Sequence, residues 1–422
     1  MRIKRTLCSL GLAAALALSS CSQRDVIDIG RGISISFSWW GKDVRHSYTI
    51  SALKDFVVQN PEIDVMPEYS EFEAFQKRMD VVYAAHNECD VMQINYDWLY
   101  RYSPDGNGFY DMNELSKYID LSNFTEEQLS YGKINGKLNG ISNALNTETC
   151  YYNKDIYDKY GLELPKTWDD LFKAAEVMRG DGVYPIELSK KASWMMSIAY
   201  EEQKTGIQCF NERGQLCFTP SNFSDMIDFY QKLLDEKVCK YYKDINKNDF
   251  LNGVTAGSVC WISDAGYYCE PVAEAGNNIV VGDYLRSEGS AISGWYAKPT
   301  SLYCIKRDTP YPEACAKLVN FLVNGQEMAQ KQGIEKGIPL SKAMLEVLEA
   351  NDQLKGIQNV ANEKLAASDS ITRISPLLEN SGLVEVFEEA VKQVIFEEQD
   401  ISEYAKKLHD AALNLTGKPA AY

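Results

Sequence analysis

The chain has 422 residues, with 60 acidic against 43 basic side chains and a formal net charge of −17. Hydrophobic residues make up 45%, aromatics 11% and charged residues 24%, the values of a globular chain, which exclude long-range disorder and a fibrous repeat. A chain this acidic offers no general cationic surface to a phosphate backbone, so no nucleic-acid partner is expected, and no apolar run reaches the roughly 20 residues of a spanning helix.

At the start, Arg2, Lys4 and Arg5 precede a short apolar stretch from Leu7 to Leu18, followed by Ser19-Ser20-Cys21. A charged beginning, an apolar stretch too short to span and small residues before a cleavage point predict a secretory signal peptide over 1–20. Leu18-Ser19-Ser20-Cys21 resembles the bacterial lipobox, in which the thiol is acylated. The expectation is a lipoprotein held to the cell membrane through acylated Cys21, on the extracytoplasmic side, with residues 21–32 as a tether; two acyl chains suffice for stable anchoring. Eleven cysteines are present with no C-x-x-C spacing. The missing spacing excludes a zinc ribbon, and setting aside Cys8 and Cys21 an odd number remains, which argues against a disulfide framework. Cys209 and Cys217 flank a turn at 211–214, and the sequence leaves open whether they pair. The others read as small buried hydrophobes.

In the body, Ile33-Ser34-Ile35-Ser36-Phe37-Ser38-Trp39 alternates strictly, the period of a strand. Its second face is serine rather than charge, which fits burial on both sides. Ile50, Leu53 and Val57 predict a helix ending at Asn60-Pro61. Ile63 to Tyr69 reads as a strand, Phe75, Met79 and Val82 mark a helix, and Asp90 to Ile94 a third strand. This β-α-β-α-β order predicts a mostly parallel sheet with helices on both faces. Gly132, Gly136 and Gly140 punctuate a turn-rich stretch, and Ile141 to Tyr152 is extended. A second unit begins here. Asn153 to Tyr160 is a short helix. Thr167 then caps a stronger one, with Asp169 and Asp170 in its first turn, a Leu171, Ala174, Ala175, Met178 stripe, and Gly180 at its close. Helices are predicted near 224–238 and 313–331. Two further stripes close the chain, one through Val384, Phe387, Val391 and Ile395, the other through Ala405, Leu408, Ala412 and Leu415.

Signatures of catalysis are missing. There is no H-E-x-x-H or G-x-S-x-G, and His46, His86 and His409 are scattered. Gly132 to Lys137 has one residue too few between glycines for a P-loop, and Leu138 stands where a hydroxyl belongs. Asp244-x-Asn246-x-Asn248 begins like a calcium loop, but Asp249 replaces the turn glycine and Thr255 the bidentate Glu. With 60 acids, pairs of carboxylates say nothing about glycoside hydrolysis. No metal or cofactor is expected.

The most specific string is Tyr151-Tyr152-Asn153-Lys154-Asp155-Ile156-Tyr157, then Tyr160-Gly161-Leu162, then Leu164-Pro165-Lys166-Thr167-Trp168-Asp169-Asp170-Leu171. It resembles the family 1 extracellular solute-binding proteins of ABC importers, the maltose-binding type. Phe37-Ser38-Trp39-Trp40-Gly41, Gly136 to Ile141, Phe250-Leu251-Asn252-Gly253 with Trp261, and Gly337-Ile338-Pro339 resemble further family segments in the same order. Cys89 and Ser142 stand where the family usually has Pro.

The resemblance implies an α/β, two-lobed periplasmic-binding-protein-like fold of type II. Each lobe would be a mostly parallel sheet flanked by helices, joined to the other by hinge crossovers. Lobe 1 would be 33–141 plus 297–343, and lobe 2 would be 142–296 plus 344–422. The lobes would close on a carbohydrate, without catalysis, and the protein, as a monomer, would deliver it to ABC permease subunits. Alternatives are an extracytoplasmic glycan hydrolase, and a sugar sensor or adhesion module.

A sugar offers apolar C–H faces and a polar rim, so its site needs flat aromatic walls with donors and acceptors at the edge. Strand C-terminal ends face the crevice in such sheets, which nominates Trp40, Glu71 and Asp97; Trp39, on the opposite face, belongs to the core. Trp194 lies in a mixed polar stretch and is a further candidate. Trp261 and Asp264 resemble the family's cleft segment, Trp295 marks the return crossover, and Arg373 lies in a polar loop where relatives often place an Arg near ligand. Trp168 opens a helix and is expected to pack structurally.

Overall fold

The computed structural model describes residues 32–416 except 212 and 369. The signal peptide, the acylation site at Cys21 and most of the tether lie outside the described residues.

The serine-alternating segment forms β1 (Ile33–Trp40), and it pairs in parallel with β2 (Ile63–Ser70) from Ile33↔Ile63 to Trp40↔Ser70. On its other side it pairs in parallel with β3 (Val91–Ile94). The serine face is covered only in part: Ser38 is buried, Ser36 is half-buried and Ser34 is exposed. Ser36 Oγ donates to Asp90 Oδ2 at 2.8 Å, and the Asp90 amide donates back to Ser36 Oγ at 2.9 Å. A small hairpin of β4 (Lys133–Ile134) and β5 (Lys137–Leu138) fills the glycine-punctuated stretch. Next come β6 (Ile141–Ser142), β7 (Leu145–Asn153), β8 (Glu187–Leu188), β9 (Gly257–Trp261) and β10 (Ile279–Val281). The last strands are β11 (Tyr296–Pro299), β12 (Leu302–Ile305) and β13 (Thr372–Arg373).

Two large sheets result, one per lobe. The first has the order β2-β1-β3-β12-β6, the second β13-β11-β7-β9-β8 with β10 beside β7. Both are mixed rather than mostly parallel. β12 runs antiparallel to β3 and β6, and β7 runs antiparallel to β9, β10 and β11. The antiparallel strands are those that return from one lobe to the other, and a returning strand need not keep the direction set by a β-α-β unit.

The chain passes between sheets from β6 to β7, again from β11 to β12, and a third time near 351–356. β11 places 297–299 in the second sheet. The helix Lys342–Ala350 buries Met344 and Leu348 in the first lobe's core, whereas Gly356–Ala366 buries Ala361 against Tyr151 and Phe250 of the second. The two adjacent crossovers are stitched together: the Thr300 and Ser301 hydroxyls both donate to Asn143 Oδ1, at 2.8 and 3.0 Å, and the Thr300 amide donates to the Ala144 carbonyl at 3.0 Å.

Helix Trp168–Met178 begins with the predicted cap: the Asp170 amide donates to Thr167 Oγ1 and the Thr167 amide to Asp170 Oδ2, both 3.1 Å. A short 3₁₀ turn follows it, and Gly182, at φ +71, makes the left-handed stop in place of Gly180. The predicted helix at 313–331 is two helices, Pro312–Asn324 and Gln326–Gln332, because Gly325 is extended between them. Lys190–Thr205 is a helix that periodicity missed. Eleven of its 16 residues are buried, so it has no polar face to make a stripe. Eight cysteines, Cys209 among them, are buried free thiols, and a backbone bond from the Cys217 amide to the Cys209 carbonyl (2.8 Å) closes the turn between those two. Among the described residues no helix is long and apolar enough to cross a membrane.

Candidate functional site

The C-terminal ends of β1, β3 and β9 meet across a cleft between the lobes, and Trp261 stands at its centre. As the last residue of β9, opposite Glu148 on β7, it lines four recesses of about 550, 280, 290 and 10 Å³. Further rings face the same space. Phe72 comes from the first lobe and is 40% exposed; Tyr267 and Tyr268 come from the second, 53% and 39% exposed. Water-facing aromatic rings gathered in a cleft are a surface awaiting a partner.

Polar groups are set around the rings. Asn146 is fixed in β7: its Nδ2 donates to Ser263 Oγ at 3.0 Å and its Oδ1 accepts from the Ser263 amide at 3.2 Å, holding the turn that carries Asp264. Lys298, beside Asn146 in the sheet, lays its ammonium 4.2 Å from the centroid of the Trp261 ring. It also pairs with Glu379, which is joined by Lys191 at 3.0 Å. Burial alone would raise the Glu379 pKa, but Lys191 and Lys298 outweigh it and hold the group at about 2.

Other acids in the cleft are pushed the opposite way. Burial raises Glu148 to about 8, and its Oε2 has no hydrogen-bond partner. Burial, then the Glu379 charge, raises Asp97 to about 6. Asp264 opens to the lumen yet is hemmed in by protein, and that enclosure raises it despite Arg45 and Lys298. At neutral pH Glu148 is therefore mostly a hydrogen-bond donor, while Glu379 is an acceptor only. Among the described residues no group of three or more His, Cys, Asp or Glu side chains is arranged to hold a metal ion.

The sequence nominees separate in the structure. Trp40, Asp97, Trp261 and Asp264 line the cleft. Trp295 lines only the 10 Å³ recess behind Trp261, 2% exposed, its indole N–H on the Leu285 carbonyl at 2.9 Å. Trp194 is a correction: it is fully buried, its indole N–H donating to the Leu378 carbonyl at 3.1 Å and its ring 5.3 Å from Phe387, because the stretch read as mixed and polar is a helix buried nearly all round. Glu71 also departs from its expected place, because it precedes the helix Phe72–Ala84, is exposed and lines none of the four recesses, and Phe72 enters the cleft instead. Arg373 bridges the lobes rather than facing the lumen. It donates to Tyr96 Oη (2.7 Å) and the Ser130 carbonyl (2.6 Å) and lies 4.5 Å from the Tyr131 ring centroid. Trp168 packs as expected, its indole N–H on Gln203 Oε1 at 2.8 Å. Sequence reasoning missed Glu148, Lys191, Lys298, Lys336 and Glu379. The one available signal was a charged residue within a strand read as buried, as at Glu148 and Lys298.

Comparison with known proteins agrees with this geometry. The family described as "Bacterial extracellular solute-binding protein" matches residues 51–356. The chain belongs to that family. Members bind solutes and are not catalysts, so the glycan-hydrolase alternative falls. This solute-binding protein is 27% identical over 123 residues to the arabinooligosaccharide-binding protein of Bacillus subtilis, a stretch covering 28% of each chain. It is 22% identical over 300 residues to a putative binding protein of Brucella abortus, covering 68% of this chain and 71% of that one. Among solved structures, a periplasmic solute-binding protein of Pectobacterium atrosepticum superposes with a TM-score of 0.84 at 26% identity, over 91% of this chain and 99% of the other. A periplasmic oligogalacturonide-binding protein of Yersinia enterocolitica, in complex with saturated digalacturonic acid, gives 0.82 at 29% identity over 91% and 99%. The two-lobed α/β fold is thus that of periplasmic solute-binding proteins.

Proposed function

We propose that this solute-binding protein captures an oligosaccharide in the cleft, between Trp261 and Phe72, and hands it unchanged to the permease of an ABC importer. One observation carries the reading: a central Trp, with exposed rings on both lobes, is surrounded by hydroxyl-compatible groups such as Asn95, Asn146, Asp97 and Asp264. Flat apolar walls with a polar rim match the two kinds of surface on a sugar. Relatives named for their guests support it, since one binds arabinooligosaccharides and another was solved with digalacturonic acid. In the same reading Trp261 and Phe72 stack on rings, Trp40 backs Phe72, and Asp97 and Asp264 accept hydroxyls. Acylated Cys21 anchors the body to the extracytoplasmic face of the membrane, and the protein works as a monomer.

The test is calorimetric titration with a panel of oligosaccharides, followed by recovery of the guest. A member bound with micromolar affinity and returned intact supports the proposal. A panel without binding, or a guest returned cleaved, refutes it. Metabolic labelling with a clickable palmitate analogue, compared between the natural chain and Cys21→Ser, tests the anchor.

A further inference from the structure

The recess of about 280 Å³ beside the crossovers has an unbalanced wall. It holds three cationic side chains, Arg45, Lys298 and Lys336, against one carboxylate, Asp264. Two of the cations have counter-ions: Arg45 is gripped by Glu335 at 2.9 Å, and Lys298 is paired with Glu379. Lys336 has no ion pair among the described residues. It is 2% exposed, and its ammonium donates to two neutral groups, Gln93 Oε1 at 3.2 Å and Tyr303 Oη at 2.8 Å. Its chain neighbour Glu335 is engaged by Arg45 and by the Tyr48 hydroxyl at 2.8 Å.

A buried ammonium facing only neutral oxygens has lost its hydration without gaining a counter-charge. Burial, then the Arg45 charge, lowers the Lys336 pKa to about 7, with Glu335 opposing. The other charged or titratable groups around it are His46 on the Arg45 helix, Tyr303 on β12 and Asp264, which lines the same recess. Gln93 accepts from Lys336 through Oε1, which leaves its Nε2 to donate into the recess that it lines. One unpaired cation fits one negative charge, and Asp264 in the same wall disfavours a dianion such as a phosphate monoester. The protein as a whole is acidic, with a net charge of −17, so this basic recess is a local arrangement against the general charge.

We propose that this recess receives the carboxylate of an acidic sugar, a uronic-acid unit of an oligosaccharide, on Lys336 Nζ and Gln93 Nε2. The inference rests on the saccharide reading above and narrows it to an anionic guest.

The experiment titrates the protein with three disaccharides: a di-uronide, its methyl ester, and the neutral sugar with hydroxymethyl groups in place of the carboxylates. A charge-assisted contact predicts the acid to bind at least tenfold tighter than either control at pH 6.5. That ratio should fall at least fivefold by pH 8.5, because the free protein's Lys336 is then mostly neutral while the controls sense no such change. Lys336→Met should abolish the preference, and the wild-type pH series stands by itself if that variant folds poorly. Equal binding of all three sugars overturns the subsite and leaves the saccharide reading in place. A preference that survives Lys336→Met, or a sugar phosphate binding tighter than the uronide, also overturns it. Binding of none of these sugars overturns the inference, and an empty result across the neutral panel as well removes the reading beneath it.

Discussion

Glu379 ties two lysines from different elements of the second lobe, Lys191 on the helix Lys190–Thr205 and Lys298 on β11, at the edge of the cleft. Its side chain is 4% exposed, so solvent screens little of the attraction. The pKa lies at about 2 against an ordinary 4.5, and at 1.36 kcal/mol per unit that gap corresponds to about 3 kcal/mol of stability. Glu379→Gln removes the charge and leaves the half-buried Lys191 and Lys298 ammonium groups without their counter-charge, a change that in a buried pair typically costs ~3–5 kcal/mol. The sign follows from the depressed pKa. The stabilisation is complete above pH 4.5 and is lost as pH falls towards 2. The penalty of Glu379→Gln should therefore be about 3 kcal/mol at pH 7 and shrink to about 2 kcal/mol at pH 3.5. Urea unfolding of both proteins at the two pH values, followed by tryptophan fluorescence, measures it. A penalty below about 1 kcal/mol at pH 7, or one that does not narrow in acid, would refute the assigned role of the two lysines.

Trp261→Ala should weaken saccharide binding by up to about 70-fold, since a sugar covering ~100 Å² of ring at ~25 cal/mol/Å² gains at most roughly 2.5 kcal/mol; a change under threefold in titration would remove the stacking role. Trp194→Ala should instead cost ~3–5 kcal/mol of stability in urea unfolding and leave the affinity of the folded protein within about twofold, roughly 0.4 kcal/mol. Glu148 has a raised pKa, so its burial penalises the fold increasingly as pH rises from 4.5 to about 8. Glu148→Gln should accordingly stabilise the protein most at pH 8–9 and hardly at all at pH 4.5, and a gain independent of pH would contradict that account. Arg373→Ala removes the bridge from the second lobe to Tyr96 and Ser130 of the first. Small-angle scattering of the unliganded variant should show a larger radius of gyration, and an unchanged value would mean that other contacts hold the lobes.

The elements legible in the sequence are those with two unlike faces. β1 shows itself by strict alternation, and the helix Trp168–Met178 by a capped stripe, because each meets a core on one side and something different on the other. The helix Lys190–Thr205 meets protein on nearly all sides, and the same burial that hides its period misplaced Trp194. In the cleft, Trp261 and Asp264 were readable through their resemblance to the family's cleft segment, and Trp261 does end β9 at the crevice. Lys336 was not, since its meaning comes from Gln93, more than two hundred residues away along the chain, and Tyr303, more than thirty away. A lysine's lack of a counter-ion is a property of three-dimensional neighbours that no local pattern records.

The stitching of Asn143 to Thr300 and Ser301 limits how the molecule can move. Two stitched tethers side by side would act as a pivot, the third passage near 351–356 permitting, so the rim far from them would travel further than the corner next to them. Thr300 and Ser301 are themselves part of the wall that contains Lys336. A guest's charged end would therefore find its socket already assembled in the gaping state, and only the rest of the chain would wait for the jaws to meet.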